Sequence, residues 1–380
     1  MRKKTKSFIL IFAIIILGCK DEFLIETTNY KPIMVVDGMI TNEPGPYTIK
    51  LSLASPLPLE EKIHLEACTV ILNENTDKSE VLTETEPGIY VTSIDGIQGI
   101  VGNNYSISIL TPEGKEYYTE PQKMKVPIEI DSIYAELSYH EHEDYPLGLP
   151  GYQFYTDSKM ASTQDNYFLW NMIETYKYIA DYRLYALFDG FVTIPGKLTD
   201  YENLYTCWKT QNVNYFFTAK TSNLSVPQIS HQPLHFVGTD SRRLQERYSL
   251  FLKQYTIGEE TYYFWKGIAD QSTEENFLVA NQPYNIIGNI KNINNPNQTV
   301  HGNFTVASVS QKRIFFDRPN VAFYYNPCEV EYKIEEYIKF YHPPFYYVLT
   351  EIGLGIVQEW CVDCTFDDGE AFKPAFWIDK

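Results

Sequence analysis

The sequence predicts a mostly β protein: an N-terminal immunoglobulin-like β-sandwich, then a larger β-rich domain with a short inserted helix. Three observations predict it. Short runs of alternating apolar and polar residues recur between turn-forming clusters through the first third of the chain. Aromatic residues fill 15% of the 380 positions, with 31 Tyr and 22 Phe, a load that suits pleated surfaces better than long helices. A helix-period stripe stands out near residues 257–270.

The elements follow in order. Arg2, Lys3, Lys4 and Lys6 precede an apolar run from Phe8 to Leu17, then Gly18 and Cys19. Ten apolar residues rise only about 15 Å as a helix, half of what a bilayer core requires, so residues 1–18 read as a cleavable leader and not a span. Ile16-Leu17-Gly18-Cys19 resembles a bacterial lipobox, with Leu17 where a small residue is usual. That makes Cys19 the expected site of acylation and the first residue of the mature chain. An ordinary secretory leader with an accidental Cys is the alternative. Residues 19–29 form the expected tether, and its Lys20-Asp21-Glu22 resembles the short acidic signal that exports lipoproteins to the cell surface.

Residues 30–126 read as about seven short strands, the pattern of a sandwich. Strand candidates are 32–38, 47–53, 67–72, 88–93, 105–110 and 115–119, with Pro112-Glu113-Gly114 as a hairpin loop before the last. Cys68 shares a face with Val70 and Leu72, so it is expected to be a small buried hydrophobe. Val126-Pro127 marks the junction to the second domain, 127–380, because Pro favours an extended approach. There, 128–137, 152–156 and 247–257 read as strands, and 166–178, apolar on both faces, as a central strand covered on both sides. Thr256 and Glu259 have capping-box spacing, followed by Tyr262, Trp265, Ile268 and Ala269 at helical spacing, a stripe expected to pack against the sheet. Segments 285–291 and 300–309 read as strands around Asn294-Asn295-Pro296-Asn297. Segment 334–341 fits helix or strand equally.

Composition narrows function. With 44% hydrophobic and 21% charged residues the chain is not disordered, and its length suggests two or three domains. Formal charge is −18, and loss of the leader's four cations leaves 27 bases against 49 acids, a net −22. Phosphate recognition needs clustered cations, so a nucleic-acid partner is excluded.

Chemistry-bearing residues are few. Cys207, Cys328, Cys361 and Cys364 are expected to form two disulfides in an oxidising compartment, and four cysteines allow three pairings. Cys361-Val362-Asp363-Cys364 also has the spacing of half a zinc site or a redox pair, but no second ligand pair appears and its C-terminal setting among acids favours a structural role. His140-Glu141-His142-Glu143-Asp144 is the best metal candidate, although the following Tyr145-Pro146 favours a solvated acidic loop. His231 and His235 flank Pro233, which disfavours the helix on which they would converge. Glu259-Glu260 and Asp367-Asp368 are merely adjacent in sequence. No His-Glu-x-x-His, Gly-x-Ser-x-Gly or phosphate-binding loop occurs. The expectation is a non-enzymatic protein with no catalytic residue, no metal and no cofactor.

Taken in order, the motifs resemble a family of Bacteroidota surface lipoproteins known only as a domain of unknown function. The resemblance runs from Val35-Val36-Asp37-Gly38 through Gly88-Ile89-Tyr90, 99–105 and Ile130-Asp131-Ser132-Ile133. It continues with Trp170, Glu174-Thr175, Lys253-Gln254-Tyr255-Thr256, Tyr263-Phe264-Trp265 and Gly288-Asn289-Ile290, and closes with Cys361–Cys364 and 373–377. It covers nearly the whole mature chain. The sequence departs where a Gly-Gly pair is expected after the second closing Cys and Phe366-Asp367-Asp368-Gly369 stands instead. Genes of such lipoproteins often lie beside those of TonB-dependent outer-membrane transporters. The resemblance therefore implies an outer-membrane, lipid-anchored, surface-exposed accessory of such a transporter, acting in ligand capture, delivery or assembly. The aromatic load supports a second expectation, a stand-alone carbohydrate-binding or adhesion module.

Overall fold

Alternation along the first strands builds two facing sheets. A computed structural model describes residues 33–54, 63–75, 77–163, 165–272 and 286–379. Strand β1 (Met34–Thr41) pairs antiparallel with β2 (Thr48–Leu53). Facing them lie β3 (Thr69–Glu74), β4 (Asn104–Leu110) and β5 (Glu116–Thr119). Val36, Ile40, Ile49 and Leu51 of one sheet and Val70, Leu72, Ile107 and Ile109 of the other form one buried cluster, the arrangement of a sandwich. The β4–β5 hairpin turns as expected at 112–114. Gly114 has φ +78°, its N–H donates to Thr111 O (2.9 Å), and the Lys115 N–H donates to Thr111 Oγ1 (3.2 Å). Cys68 corrects an expectation: it is half-buried just before β3, with its thiol facing the Leu65 and Glu66 carbonyls.

The rest of the chain supplies β6 (Ile130–His142), β7 (Tyr145–Ser158), β8 (Tyr167–Ile179), β9 (Leu184–Phe188), β10 (Thr206–Asn212), β11 (Gln232–Gly238) and β12 (Arg247–Ile257). Helix α1 (Glu259–Ser272), β13 (Ile290–Asn292), β14 (His301–Asp317), helix α2 (Ile334–Phe340), β15 (Phe345–Leu349) and β16 (Leu354–Val357) follow. Among the described residues no helix is long and apolar enough to cross a membrane.

Strand β14 decides the architecture. Its 17 residues include an unbroken buried run from Asn303 to Ser310, the pattern of a strand covered on both faces. Its first half runs parallel to β1, from Val35↔His301 to Thr41↔Ala307. Its second half pairs antiparallel with β12, from Thr256↔Ser308 to Arg247↔Asp317. Strand β12 pairs with β8, and β8 with β10, so one ten-stranded sheet runs through both regions. Strand β13 likewise crosses back, pairing with β5. The sandwich that opens with β1 at Met34 is thus completed by strands that begin at Ile290 and His301.

On one face of the shared sheet, the β6–β7–β11 sheet packs Ile133, Phe154 and Val237 against Phe168, Trp170, Leu250 and Leu252. On the other, α1 lays Tyr262 and Trp265 against Tyr167, Leu169, Tyr255 and Ala307. Strand β8 is therefore covered on both sides, as its apolar faces require. The capping box does not form: the Thr256 hydroxyl instead accepts the Ile128 N–H at 3.2 Å, fastening the junction strand to β12. Gln254 reinforces it, donating to Ile128 O (2.6 Å) while accepting the Trp170 indole N–H (3.0 Å). Segment 334–341 resolves as helix α2, with Tyr337 and Tyr341 stacked one turn apart at 4.3 Å.

Entry into β14 needs glycine. Gly302 has φ +92°, and a Cβ there would lie 1.8 Å from Val36 O. Gly302→Ala is therefore expected to cost about 3 kcal/mol or more, by strain and by prising β14 from β1. Urea unfolding of parent and variant measures this, and an unchanged midpoint would remove β14 as the fold's keystone.

Candidate functional site

Strand β8 buries a carboxylate where its neighbours are apolar. Glu174 is 1% exposed and is reached from four separate segments. The Tyr248 hydroxyl of β12 donates to Oε2 at 2.7 Å, and the Gln211 amide of β10 donates to Oε1 at 2.5 Å. His235 Nε2 of β11 lies 3.5 Å from Oε2 and 3.0 Å from the Tyr248 oxygen. Arg243 Nη1, from the turn before β12, lies 3.6 Å from Oε1. Burial alone pushes the Glu174 carboxyl up, but the His235 hydrogen bond, the Arg243 charge and the Tyr248 hydroxyl outweigh it and hold the pKa at about 2. Burial, then the neighbouring Glu174 charge, pushes the Tyr248 hydroxyl well above its ordinary value. At neutral pH the carboxylate stays ionised and the phenol protonated, with both carboxylate oxygens occupied. The cluster ties β8, β10, β11 and β12 together rather than offering a proton to a substrate.

A second buried acid anchors the C-terminal lobe. The Asp181 carboxylate accepts the Arg242 guanidinium at 3.0 Å, the Tyr325 hydroxyl at 2.9 Å and the Cys328 N–H at 2.9 Å. The Arg242 guanidinium also lies over the rings of Tyr178 and Tyr325, at 5.6 and 5.0 Å. The four expected cysteines pair as Cys207–Cys364 and Cys328–Cys361. The two cysteines of the closing motif therefore leave for different distant partners, which is neither a redox pair nor a zinc half-site. Asp367 lies 3.6 Å from Arg242, and Asp368 takes the left-handed backbone (φ 58°) that glycine ordinarily supplies, in the loop where a Gly-Gly pair was expected.

The histidine candidates do not converge. His140 and His142 lie on the exposed β6–β7 hairpin, correcting the expected loop: His140 stacks on Phe236 at 3.7 Å and His142 sits 4.7 Å from the Tyr145 ring. Among the described residues no group of three or more His, Cys, Asp or Glu could hold a metal ion. His231 and His235 part company, His235 at Glu174 and the exposed His231 in a row with the half-buried Tyr134 and Tyr155. In that row His231 stacks on Tyr155 at 4.0 Å, and Asp157 accepts the His231 N–H at 2.6 Å and the Ser132 hydroxyl at 2.7 Å. Cys19, Lys20, Asp21 and Glu22 lie outside the described residues.

The lobe itself is a four-stranded sheet, Thr193–Pro195, β9, β15 and β16, with Leu184, Tyr346, Val348 and Val357 in its own small core. Outside that core, Phe191 at the β9 hairpin tip and Phe340 at the end of α2 are 92% and 75% exposed. Phe372 and Ile352 are also largely in solvent. Phe191 and Phe340 thus leave aromatic surface in solvent that the lobe's own core does not cover.

Sequence reasoning named Glu174 through the resemblance and His235 only as a pair with His231, and it missed Gln211, Arg243 and Tyr248; the four partners lie 37 to 74 residues from Glu174. The available signal was a charged residue in a run apolar on both faces, which demands buried partners.

Fold and site define a disulfide-braced, multi-sheet β protein with a closed polar interior and an apolar outer lobe. The family described as Domain of unknown function (DUF4249) matches residues 20–313, so this chain belongs to it. No curated protein matches the sequence.

Two outcomes follow from this geometry. Glu174 has a folded pKa near 2, below its unfolded value of about 4.3, so its contribution is present above that value and is lost as pH falls toward 2. The contribution is on the order of 3 kcal/mol, and Glu174→Gln should remove it at pH 7 and flatten the acid limb of a stability-against-pH profile. An acid limb equally steep in the variant would refute the buried-ion reading. For the disulfides, chain entropy over separations of 157 and 33 residues assigns about 5 and 4 kcal/mol respectively. Cys328→Ser with Cys361→Ser should expose the lobe to limited proteolysis before the shared sheet. Simultaneous loss of both would show that the lobe has no separate stability.

Proposed function

We propose that this protein is a non-enzymatic, lipid-anchored protein of the outer-membrane surface. In this reading Cys19 carries the lipid, Lys20-Asp21-Glu22 directs export, and the folded body serves a TonB-dependent transporter in ligand capture, delivery or assembly. The leader supports the anchor, because its ten-residue apolar run is too short to hold the chain in a bilayer by itself. The observation that carries a binding role is the contrast between a closed interior and an open lobe. The buried acids Glu174 and Asp181 are fully partnered, while Phe191 and Phe340 stand in solvent. Catalysis asks for a reactive group that substrate can reach, whereas binding asks for rigid aromatic anchors at the surface.

A second reading, a stand-alone carbohydrate-binding or adhesion module, draws on the half-exposed Tyr134–Tyr155–His231 row beside Asp157, since rings and a carboxylate are what sugar faces and hydroxyls meet.

The test is extraction of the tagged chain from its native outer membrane in mild detergent. Under the first reading Cys19→Ser moves the protein to the soluble fraction after a high-salt wash, and the parent co-purifies with a β-barrel protein. A Cys19→Ser chain that stays in the membrane ends the anchor reading. Absence of the barrel, together with glycan-array binding lost in Tyr155→Ala, would select the second reading.

A further inference from the structure

Strand β6 is an edge without a neighbour. It pairs along one side with β7 and stands last in the β6–β7–β11 sheet. Among the described residues, no main-chain hydrogen bond outside that pairing reaches 133–142, so the other side shows a row of open N–H and C=O groups. Register shifts at Ile130/Ser132 and His140/His142 bracket the regular stretch. Residues 133–140 between them span about 25 Å at roughly 3.3 Å per residue, enough for a strand to lie alongside.

The side chains of this stretch lack cover as well. Ile133 and Ala135 pack into the core beneath the sheet. Leu137 and Tyr139 continue the same face of the strand past that core, 49% and 58% exposed. Edge strands are ordinarily guarded by Lys, by Pro or by a charge on the inward face. Residues 133–140 hold no Lys or Pro, and Glu136 lies on the outward face with Tyr134.

The edge has a sign that survives a full count. From Val126 to Ser158 the sequence holds seven acids and no Lys or Arg. Asp131, Glu136 and Glu141 lie on β6 itself, and Glu143 and Asp144 follow at its turn. Cations approach only the base of the strand. Lys312 of β14 donates to Asp131 O at 2.6 Å, and Lys159 follows Ser158, the partner of Ile130. Arg313 turns to the opposite face of β14, bonding Ser249 and lying over Phe376. His140 and His142 are held against the rings of Phe236 and Tyr145. A second copy would set two acidic edges side by side, and an anionic lipid surface would repel this one too.

We infer that the free edge of β6 takes an added strand from a separate protein, an extended segment with apolar residues at alternate positions and Lys or Arg between them. Its main chain would meet the open groups of 133–140, its apolar side chains would lie beside Leu137 and Tyr139, and its cations beside Glu136. Only the identity of the protein that supplies the segment rests on the transporter reading.

Site-specific photo-cross-linking in the native cells tests it. The full chain carries p-benzoylphenylalanine at position 137, at position 139, or at the control position 81, where Val81 is exposed on the first sandwich. Positions 137 and 139 should join one segment of one polypeptide, and position 81 should not. The two attachment points should lie two residues apart, as in a paired strand, and the segment should carry Lys or Arg between apolar residues. Glu136→Lys with Glu141→Lys should cut the yield about fivefold, and high salt should cut it too. Both are exposed positions, where substitution ordinarily leaves the fold intact, so lost cross-linking is not lost folding. Attachment points three or four residues apart, as on a helix, adducts only to lipid or to a second copy, or no adduct at all overturn the inference. A partner that is not a β-barrel sustains the strand addition and removes the transporter reading instead.

Discussion

One strand pairing organises this molecule: the parallel contact between β1 and the first half of β14. Parallel strands cannot be joined by a tight turn, so the chain between them has to make a long excursion. Here that excursion is everything from β2 to β13, the rest of the first sandwich and the whole second region. Because β14 then continues into antiparallel pairing with β12, the excursion is tied back along the same strand. The two halves share one sheet, and bending between them would break ladder hydrogen bonds rather than flex a linker. The junction strand has its own fastening, since Thr256 and Gln254 take the two backbone groups of Ile128.

A shared sheet of this length needs its register defined, because apolar faces alone tolerate slippage by two residues. Glu174 supplies the definition. A buried carboxylate is tolerated only where its partners arrive together, and Gln211, His235, Arg243 and Tyr248 come from different elements. Any two-residue slip of β8 against β10 or β12 would leave a charge without partners in a dry interior. The apolar packing of Phe168, Trp170, Leu250 and Leu252 supplies the bulk of the stabilisation, and the ion cluster selects one alignment among those that packing would accept.

Much of this was legible in the residues, for reasons that differ by element. Strand β12 was read at its true bounds because 247–257 alternates through Tyr248, Leu250 and Leu252, and β8 was read as doubly covered because both its faces are apolar. The fold class followed from such segments. The capping box at Thr256 misled because a hydroxyl can accept from any amide that reaches it, and the Ile128 N–H arrives from a distant segment. Segment 334–341 was undecidable because a seven-residue helix is too short to establish a period. The β1–β14 pairing left no local trace beyond the buried run 303–310, and the partners of Glu174 could not be chosen without the topology that gathers them. The cysteines show the same limit, since the closeness of Cys361 and Cys364 in sequence says nothing about which distant segment each will meet.

The lobe at the far end of β14 completes the physical logic. It is held by the Cys207–Cys364 and Cys328–Cys361 cross-links and by the Asp181–Arg242 pair, although its own core is small. A small sheet with large exposed aromatics would ordinarily turn them inward or open to cover them, because burying one such side chain is worth about 2 kcal/mol. The cross-links remove that option by restricting the alternatives open to the chain. Bracing and exposure therefore belong together: the covalent ties let this end of the molecule keep apolar surface presented in a fixed geometry.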